Sequence, residues 1–482
     1  MKALSMRLMF VTTTLLTIFG LSRSESSSPV MGFSTWNQFA CEINETLVIE
    51  QANAIVKLKL NELGYEFVNV DDCWQAETRD ETGRLRPDPV RFPRGIKWLA
   101  SRVHDLGLKF GIYTCIGTHT CEGLPGSYDH YEIDAKTFAE WDVDFVKVDT
   151  CSLTMEQNWD PEPFYEEFAR AMKKESGKIL YSVCNWGIWE PWRWAPRFSH
   201  AWRTTMDIFP AFWRVLEIVD YSEPLADYVK PGAFNDMDML ECGVSGRLFN
   251  WPSMPEIVPL DVNECRSHFT LWVLLRSPLV LGMDMTKIQD EDMSVVTNEE
   301  VLSIVRQGGE TQGRRLSREI SGALFAPPTL FNGILGLVPS FCVFGPCVFS
   351  ETYARVSDDG KSVAVGFLNR GGFFDFGFDS SVNISVHLDE DLGLRGEKCT
   401  IRVRDLWNRK DVERSSTDAR VITAHNVRLR DMALYRVESE NCKFDQIRID
   451  DHHASRMSLF EVMIVTILGV VASRIVFRRS SR

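Results

Sequence analysis

Carboxylates gather at the ends of short apolar runs in this chain. Reading each run to its last polar residues gives Trp36, the pair Asp71 and Asp72, Tyr113, Lys147 and Asp149, Asn185 and Trp186, Arg203 and Asp207, then Asp236 and Asp238. No histidine is among them, which disfavours a His-based metal site and a Ser-His-Asp triad. What remains is a set of acids with one lysine, one arginine and flanking aromatics. Such a set suits cleavage of a glycosidic bond, where two carboxyl groups straddle the scissile bond and other acids accept hydrogen bonds from sugar hydroxyls. The plainer alternative is that an Asp after a strand only caps the next helix, as Asp149 or Asp71 could individually do. Several strand ends of this kind, with Lys147 and Arg203 beside them, favour a site.

The elements that must bring these residues together follow from the spacing. Eight runs, at 31–36, 65–72, 109–115, 145–149, 179–186, 201–208, 233–240 and 279–284, read as strands. Between them, segments such as 50–63, 96–106 and 163–174 place apolar residues three and four apart, the rhythm of helices. Alternating strands and helices predict an α/β fold. Eight units close a TIM barrel of about 250 residues, whose active site lies at the C-terminal ends of its strands. An open doubly wound sheet is the rival, but no Gly-rich phosphate turn follows the first run. The predicted organisation is a (β/α)8 barrel over 27–310 followed by a C-terminal antiparallel β-sandwich domain over 311–440. There the runs 363–367, 382–388, 399–403 and 433–437 are short and alternating, with Gly, Asp and Ser between them. The apolar, Pro- and Gly-containing stretch 320–350 reads as an insertion in that domain.

The chain has 482 residues, 44% of them hydrophobic, and a net charge of -14. No basic surplus is available to release counterions from a phosphate backbone, so no nucleic-acid partner is expected. Lys2 and Arg7, an apolar run over 8–21 and small polar residues over 22–28 have the order of a signal peptide, assigned to 1–26. An uncleaved anchor is the alternative. Translocation would make Asn44-Glu45-Thr46 and Asn383-Ile384-Ser385 usable glycosylation sequons, and the twelve cysteines disulfide candidates. Their spacing suggests no metal site, and no cofactor is expected. Within the tail 441–482, the apolar window 459–477 precedes Arg478, Arg479 and Arg482, as a single-pass anchor would. Glu461 and Arg474 inside the window keep an amphipathic or disordered tail open. The expected location is the secretory pathway: secreted, lysosomal or vacuolar, or membrane-anchored with a lumenal or extracellular catalytic domain.

Five segments carry a resemblance: Gly32-Phe33-Ser34-Thr35-Trp36-Asn37, Asp71-Asp72-Cys73-Trp74, Lys147-Val148-Asp149-Thr150-Cys151, Trp202 through Ile208, and Asn235 through Leu240. In that order they resemble the motifs of glycoside hydrolase family 27, the melibiase family of α-galactosidases and α-N-acetylgalactosaminidases. The likeness runs from about Met31 to Val437. It implies a retaining mechanism with Asp149 as nucleophile and Asp207 as acid/base. Trp36, Asp71, Asp72, Tyr113, Lys147, Asn185, Trp186, Arg203 and Asp238 would bind substrate, and disulfides Cys41–Cys73 and Cys121–Cys151 would staple the loops. The implied substrates are oligosaccharides or glycoconjugates ending in α-linked galactose, and a second copy of the chain is a candidate partner. Asn185, Trp186 and Ile188 include no pair of small residues to admit an N-acetyl group, which favours galactose. Sister activities, α-N-acetylgalactosaminidase and β-L-arabinopyranosidase, stay open, as does an inactive sugar-binding protein on the same barrel. The chain also departs from the family pattern. Cys115 stands where Asp is usual, Met237 where Pro is usual, Ala233-Phe234 replaces Gly-Trp, and 305–309 differs from the usual segment after the last barrel helix.

Overall fold

The computed structural model describes residues 28–247, 256–306, 311–321, 348–371 and 381–447, apart from 397, 413–419 and 446. The expected signal peptide, the C-terminal apolar window and positions 322–347 of the expected insertion lie outside these residues. Among the described residues, no helix is long and apolar enough to cross a membrane.

Eight parallel strands form one sheet: β1 (Met31–Ser34), β2 (Phe67–Val70), β3 (Lys109–Cys115), β4 (Phe145–Asp149), β5 (Leu180–Cys184), β6 (Ala201–Arg203), β7 (Phe234–Asp236) and β8 (Leu279–Leu281). Their order is β8-β1-β2-β3-β4-β5-β6-β7. Leu240, just past β7, closes the circle by bridging Leu281. Its N–H donates to Val280 O at 2.7 Å, and Gly282 N–H donates back to Leu240 O at 3.0 Å. The (β/α)8 barrel read from the sequence is therefore present. Two strands, β3 and β4, match their sequence runs, and the other six are shorter because the chain leaves the sheet early, into the segments that carry the polar residues.

β4 shows how the sequence aims them. Side chains alternate along a strand, so Phe145, Lys147 and Asp149 share one face while Val146 and Val148 share the other. Val146 and Val148 are fully buried in the main hydrophobic core, which also holds Leu99 and Val103 of the helix Ile96–Asp105 and Phe168 and Met172 of the helix Glu162–Glu175. Phe145 packs with Val30, Phe67, Leu180 and Val280 in a small separate cluster, its ring edge-on to Phe67 at 6.1 Å. Each such aliphatic or aromatic side chain contributes about 1.5–3 kcal/mol on full burial. Beside this cluster Gly111 is required by close approach: a Cβ there would lie 1.8 Å from Asn69 Oδ1 and 3.1 Å from the Phe145 ring. The inner face of β4 thus rises from an apolar plug through Lys147 to Asp149.

The C-terminal part is antiparallel. Strands Arg314–Ser321, Val348–Val356, Ser362–Asn369, Met432–Glu440, Thr400–Asp405 and Lys410–Asp411 form a six-stranded sheet in that order, and Val382–His387 pairs with Val421–Val427 in a second sheet. Val363, Val365 and Phe367 of the first and Ile384, Val386, Ile422 and Ala424 of the second share one core. Two layers over one core make a sandwich, as expected. Ile320 pairs with Phe349 across the first two strands, so both ends of the stretch expected to be an insertion belong to the sheet.

The strand Arg314–Ser321 did not read as one in sequence because its polar residues face a partner that is remote in the chain. Asp220, on the helix Phe212–Ser222, accepts from Arg315 Nη1 at 2.8 Å, from Arg318, and from Arg370 Nη1 at 3.1 Å. Glu351, fully buried, shares Arg370 at 2.9 Å and also accepts from Arg318. Burial alone would raise the Asp220 carboxyl; Arg370, Arg318 and Arg315 instead hold it below its ordinary value. Removing one member of a buried ionic cluster leaves the others uncompensated, which typically costs about 3–5 kcal/mol. Asp220→Ala is expected to lose that much stability in urea unfolding. A loss under about 1 kcal/mol would show that water replaces the carboxylate between the arginines.

Candidate active site

The polar ends of the strands line one cleft. Trp36, Asp71, Asp72, Tyr113, Lys147, Asp149, Arg203, Asp207 and Asp238 all line it, joined by Asn37, Cys121 and Met239. The first nine were selected from sequence alone.

Asp149 ends β4 at the floor of the cleft and is 6% exposed. Tyr113 Oη donates to its Oδ2 at 2.9 Å and Thr150 N–H to its Oδ1 at 2.9 Å. Burial pushes its carboxyl up to about 6, and Asp207 adds to the rise; Lys147, Thr150 and Tyr113 oppose it. Lys147 Nζ donates to Asp71 Oδ2 at 2.8 Å. Burial would lower this ammonium, but Asp71 and Asp149 hold it well above its ordinary value, and so it stays charged. Asp72 is pushed up to about 7, first by burial and then by Asp71, against the N–H of Cys73 that donates to it at 2.7 Å.

Two strands on, Arg203 ends β6, buried, and through Nη2 forms an ion pair with Asp238 at 2.6 Å and donates to Asp207 at 3.0 Å. Asp207 lies on the segment beyond β6 with a side chain 42% exposed, so the cleft opens on its side. Asp238 adopts φ 78°, a left-handed conformation that non-glycine residues rarely take. There its carboxylate reaches both Arg203 and the N–H of Ile208, the latter at 2.8 Å. Such local strain is characteristic of functional sites. The geometry therefore offers a closed, buried carboxyl facing an open one, with ammonium, guanidinium and further acids around them.

Three of the strand-end residues are not brought to the cleft: Asn185, Trp186 and Asp236, whose Oδ1 accepts the N–H of Asp238 at 2.8 Å. Asn185 is fully buried and its Nδ2 donates to Ile188 O at 2.5 Å; neither it nor Trp186 is among the lining residues. The cause is the turn after β5, where Trp186 and Gly187 both take positive φ and a Cβ on Gly187 would lie 2.1 Å from Thr204 O. That turn folds the segment down onto its neighbour. Conversely, sequence reasoning missed Asn37, Cys121 and Met239. Asn37 adjoins Trp36 and could have been included. Behind it Asn37 Nδ2 donates to buried Glu241, a contact no local pattern announces.

Cysteines shape the walls. The structure pairs Cys41 with Cys73 and Cys121 with Cys151, and also Cys242 with Cys265 and Cys399 with Cys442. Cys121 Sγ lies 3.3 Å from Asp149 Oδ2. Cys115, buried and free, accepts the N–H of Cys151 at 3.0 Å. Met237 N–H donates to Ser277 Oγ at 2.9 Å, a bond that a proline could not make. Among the described residues, the two groups of three potential metal donors, Cys41–Cys73–Glu122 and Cys121–Asp149–Cys151, each contain a disulfide-bonded pair. Those sulfurs are not thiolate ligands.

Comparison with known proteins adds a family. A model described as "Alpha galactosidase A" matches residues 28–307, and one described as "Alpha galactosidase C-terminal beta sandwich domain" matches 350–437. An alpha-galactosidase of Oryza sativa subsp. japonica is 38% identical over 318 residues, covering 65% of this chain and 70% of its own length. The crystal structure of alpha-galactosidase I from Mortierella vinacea superposes with a TM-score of 0.68 and 28% identity, over 86% of this chain and 98% of that one. A GH27 β-L-arabinopyranosidase from Geobacillus stearothermophilus, 21% identical, shares the fold with a TM-score of 0.68 over 86% and 97% of the two chains.

Proposed function

The chain belongs to glycoside hydrolase family 27, the melibiase family, and from that premise we propose that it is a retaining exo-α-galactosidase. It removes terminal α-linked galactose from oligosaccharides or glycoconjugates by double displacement. The observation that carries this reading is the pairing of two unlike carboxyls across one cleft, Asp149 enclosed at the floor and Asp207 at the opening. Asp149 attacks the anomeric carbon from within the cleft, and Lys147, Tyr113 and Thr150 favour its ionised form. Asp207 protonates the departing glycosidic oxygen on the open side. It then takes the proton from the water that cleaves the covalent intermediate. Asp71, Asp72, Lys147 and Asp238 accept from or donate to the sugar hydroxyls, Arg203 orients Asp207, and Trp36 lends an apolar face.

Asn185 and Trp186 contribute by shaping the wall after β5, without touching sugar. The choice of galactose over N-acetylgalactosamine is supported by the similarity to proteins named alpha-galactosidase. Hydrolysis of a chromogenic α-galactoside, measured beside the matching α-N-acetylgalactosaminide and β-L-arabinopyranoside, is expected to favour the galactoside at least about tenfold in kcat/KM. Equal or reversed rates would sink the substrate choice, and no hydrolysis at all would leave a sugar-binding protein. A secretory location is supported by the four disulfides among the described residues and by the exposure of Asn44 and Asn383 in their sequons.

A further inference from the structure

The segment that follows β7 is held by one face of one helix. Cys265, His268 and Trp272 of the helix Val262–Leu274 are spaced three and four apart, so they stand on the same side of it, and all three are fully buried. Each takes hold of the segment 238–242 at a different point. Cys265 is bonded to Cys242, His268 Nε2 accepts the N–H of Glu241 at 3.0 Å, and Trp272 Nε1 donates to Asp238 O at 2.8 Å. The imidazole and indole rings meet edge-on at 4.1 Å, so each helps to fix the other. To accept an N–H, Nε2 must be unprotonated. Burial pushes the His268 imidazole down to about 3, which keeps it neutral.

A buried indole N–H needs an acceptor, and many carbonyls would serve. This one belongs to the residue with the left-handed backbone, φ 78°, whose carboxylate pairs with Arg203 at 2.6 Å and accepts the N–H of Ile208 at 2.8 Å. Arg203 in turn donates to Asp207 at 3.0 Å, and Ile208 is the next residue after Asp207. Asp238 thus holds Asp207 twice, through a shared side-chain partner and through a backbone neighbour. Neither His268 nor Trp272 is among the residues that line the cleft.

We propose that Trp272 and His268 are positioning residues for the proton donor. They hold the strained turn at Asp238, and through Arg203 and Ile208 that turn aims the Asp207 carboxyl at the glycosidic oxygen. The inference rests on the reading of Asp207 as acid/base.

The test uses the leaving group and the full-length protein. Methanol departs only if its oxygen is protonated, whereas 4-nitrophenolate leaves with little help, so a misaimed acid is felt by the methyl galactoside alone. Trp272→Phe keeps an aromatic ring and lacks the N–H. Its kcat/KM for methyl α-D-galactopyranoside should fall at least about tenfold, and that for the 4-nitrophenyl galactoside by less than about twofold. His268→Leu should show the same split and carries the comparison if Trp272→Phe does not fold. His268→Gln, whose amide oxygen can accept the Glu241 N–H, should restore the parent ratio. Asp207→Ala is the reference, with the split at its largest. Equal losses on both substrates in the Trp272 and His268 variants would mean that these residues only support the fold, and they overturn the proposal; so does an unchanged ratio. If Asp207→Ala shows no split, the assignment of the acid fails and the proposal with it. If the parent hydrolyses neither substrate, the galactosidase reading itself fails, an outcome distinct from equal losses beside a split in Asp207→Ala.

Discussion

Asp149→Asn is expected to lower kcat on an α-galactoside on the order of 10^4-fold or more, while galactose still binds and the variant outlasts its parent on heating at pH 7. The first effect follows from chemistry, because an amide cannot form the glycosyl ester. On the proposed roles, binding survives because Asp71, Asp72 and Lys147 would hold the sugar independently of Asp149. Stability follows from linkage. The Asp149 carboxyl sits at about 6 in the folded protein against an ordinary 3.8, raised first by burial. A carboxyl whose folded value is raised binds more protons in the folded state than in the unfolded one between those values. It therefore penalises the fold progressively as pH rises from about 4 to above 6, by at most about 3 kcal/mol. Asn removes that penalty at pH 7 and changes little at pH 4, where both states are largely protonated. Calorimetry at the two pH values should show a gain of a few degrees at neutral pH only. Retained turnover would refute the role of Asp149, and a pH-independent gain would refute the linkage.

How much of this was legible in the sequence depended on where each residue sits. Lys147 and Asp149 lie inside a strand with strict alternation, so their shared face was readable from β4 alone. Asp71, Asp72 and Asp207 lie just past short strands, and there only the run and the family motifs located them. Asp238 needed a left-handed backbone that no residue type demands. Asn185 and Trp186 failed as cleft residues for the converse reason: the turn at Trp186 and Gly187 is set by contact with Thr204, a tertiary event. The barrel was visible because parallel strands buried on both faces give continuous apolar runs. The first strand of the sandwich was not, since its arginines answer to Asp220 on a barrel helix.

Lys147 gives the sharpest remaining separation of charge from fit. It is paired with Asp71 at 2.8 Å and, after burial, is the strongest influence on Asp149, which it pulls downward. Lys147→Met removes that charge, so the Asp149 carboxyl must rise further above 6 and more of it will be protonated at any given pH. Because the nucleophile must be ionised, the acid limb of the kcat/KM profile is expected to move to higher pH. The pH-independent plateau should fall at least about 100-fold as a sugar-binding donor disappears. Unfolding should also become easier, by up to about 3–5 kcal/mol if Asp71 finds no replacement partner. Lys147→Arg keeps the charge on a larger, planar group that does not fit a single 2.8 Å contact. It should lower the plateau and leave the acid limb nearly in place. An acid limb that stays put in Lys147→Met would mean that the limb reports a group other than Asp149, and Asp72, pushed up to about 7 in the same cleft, would be the one to substitute next.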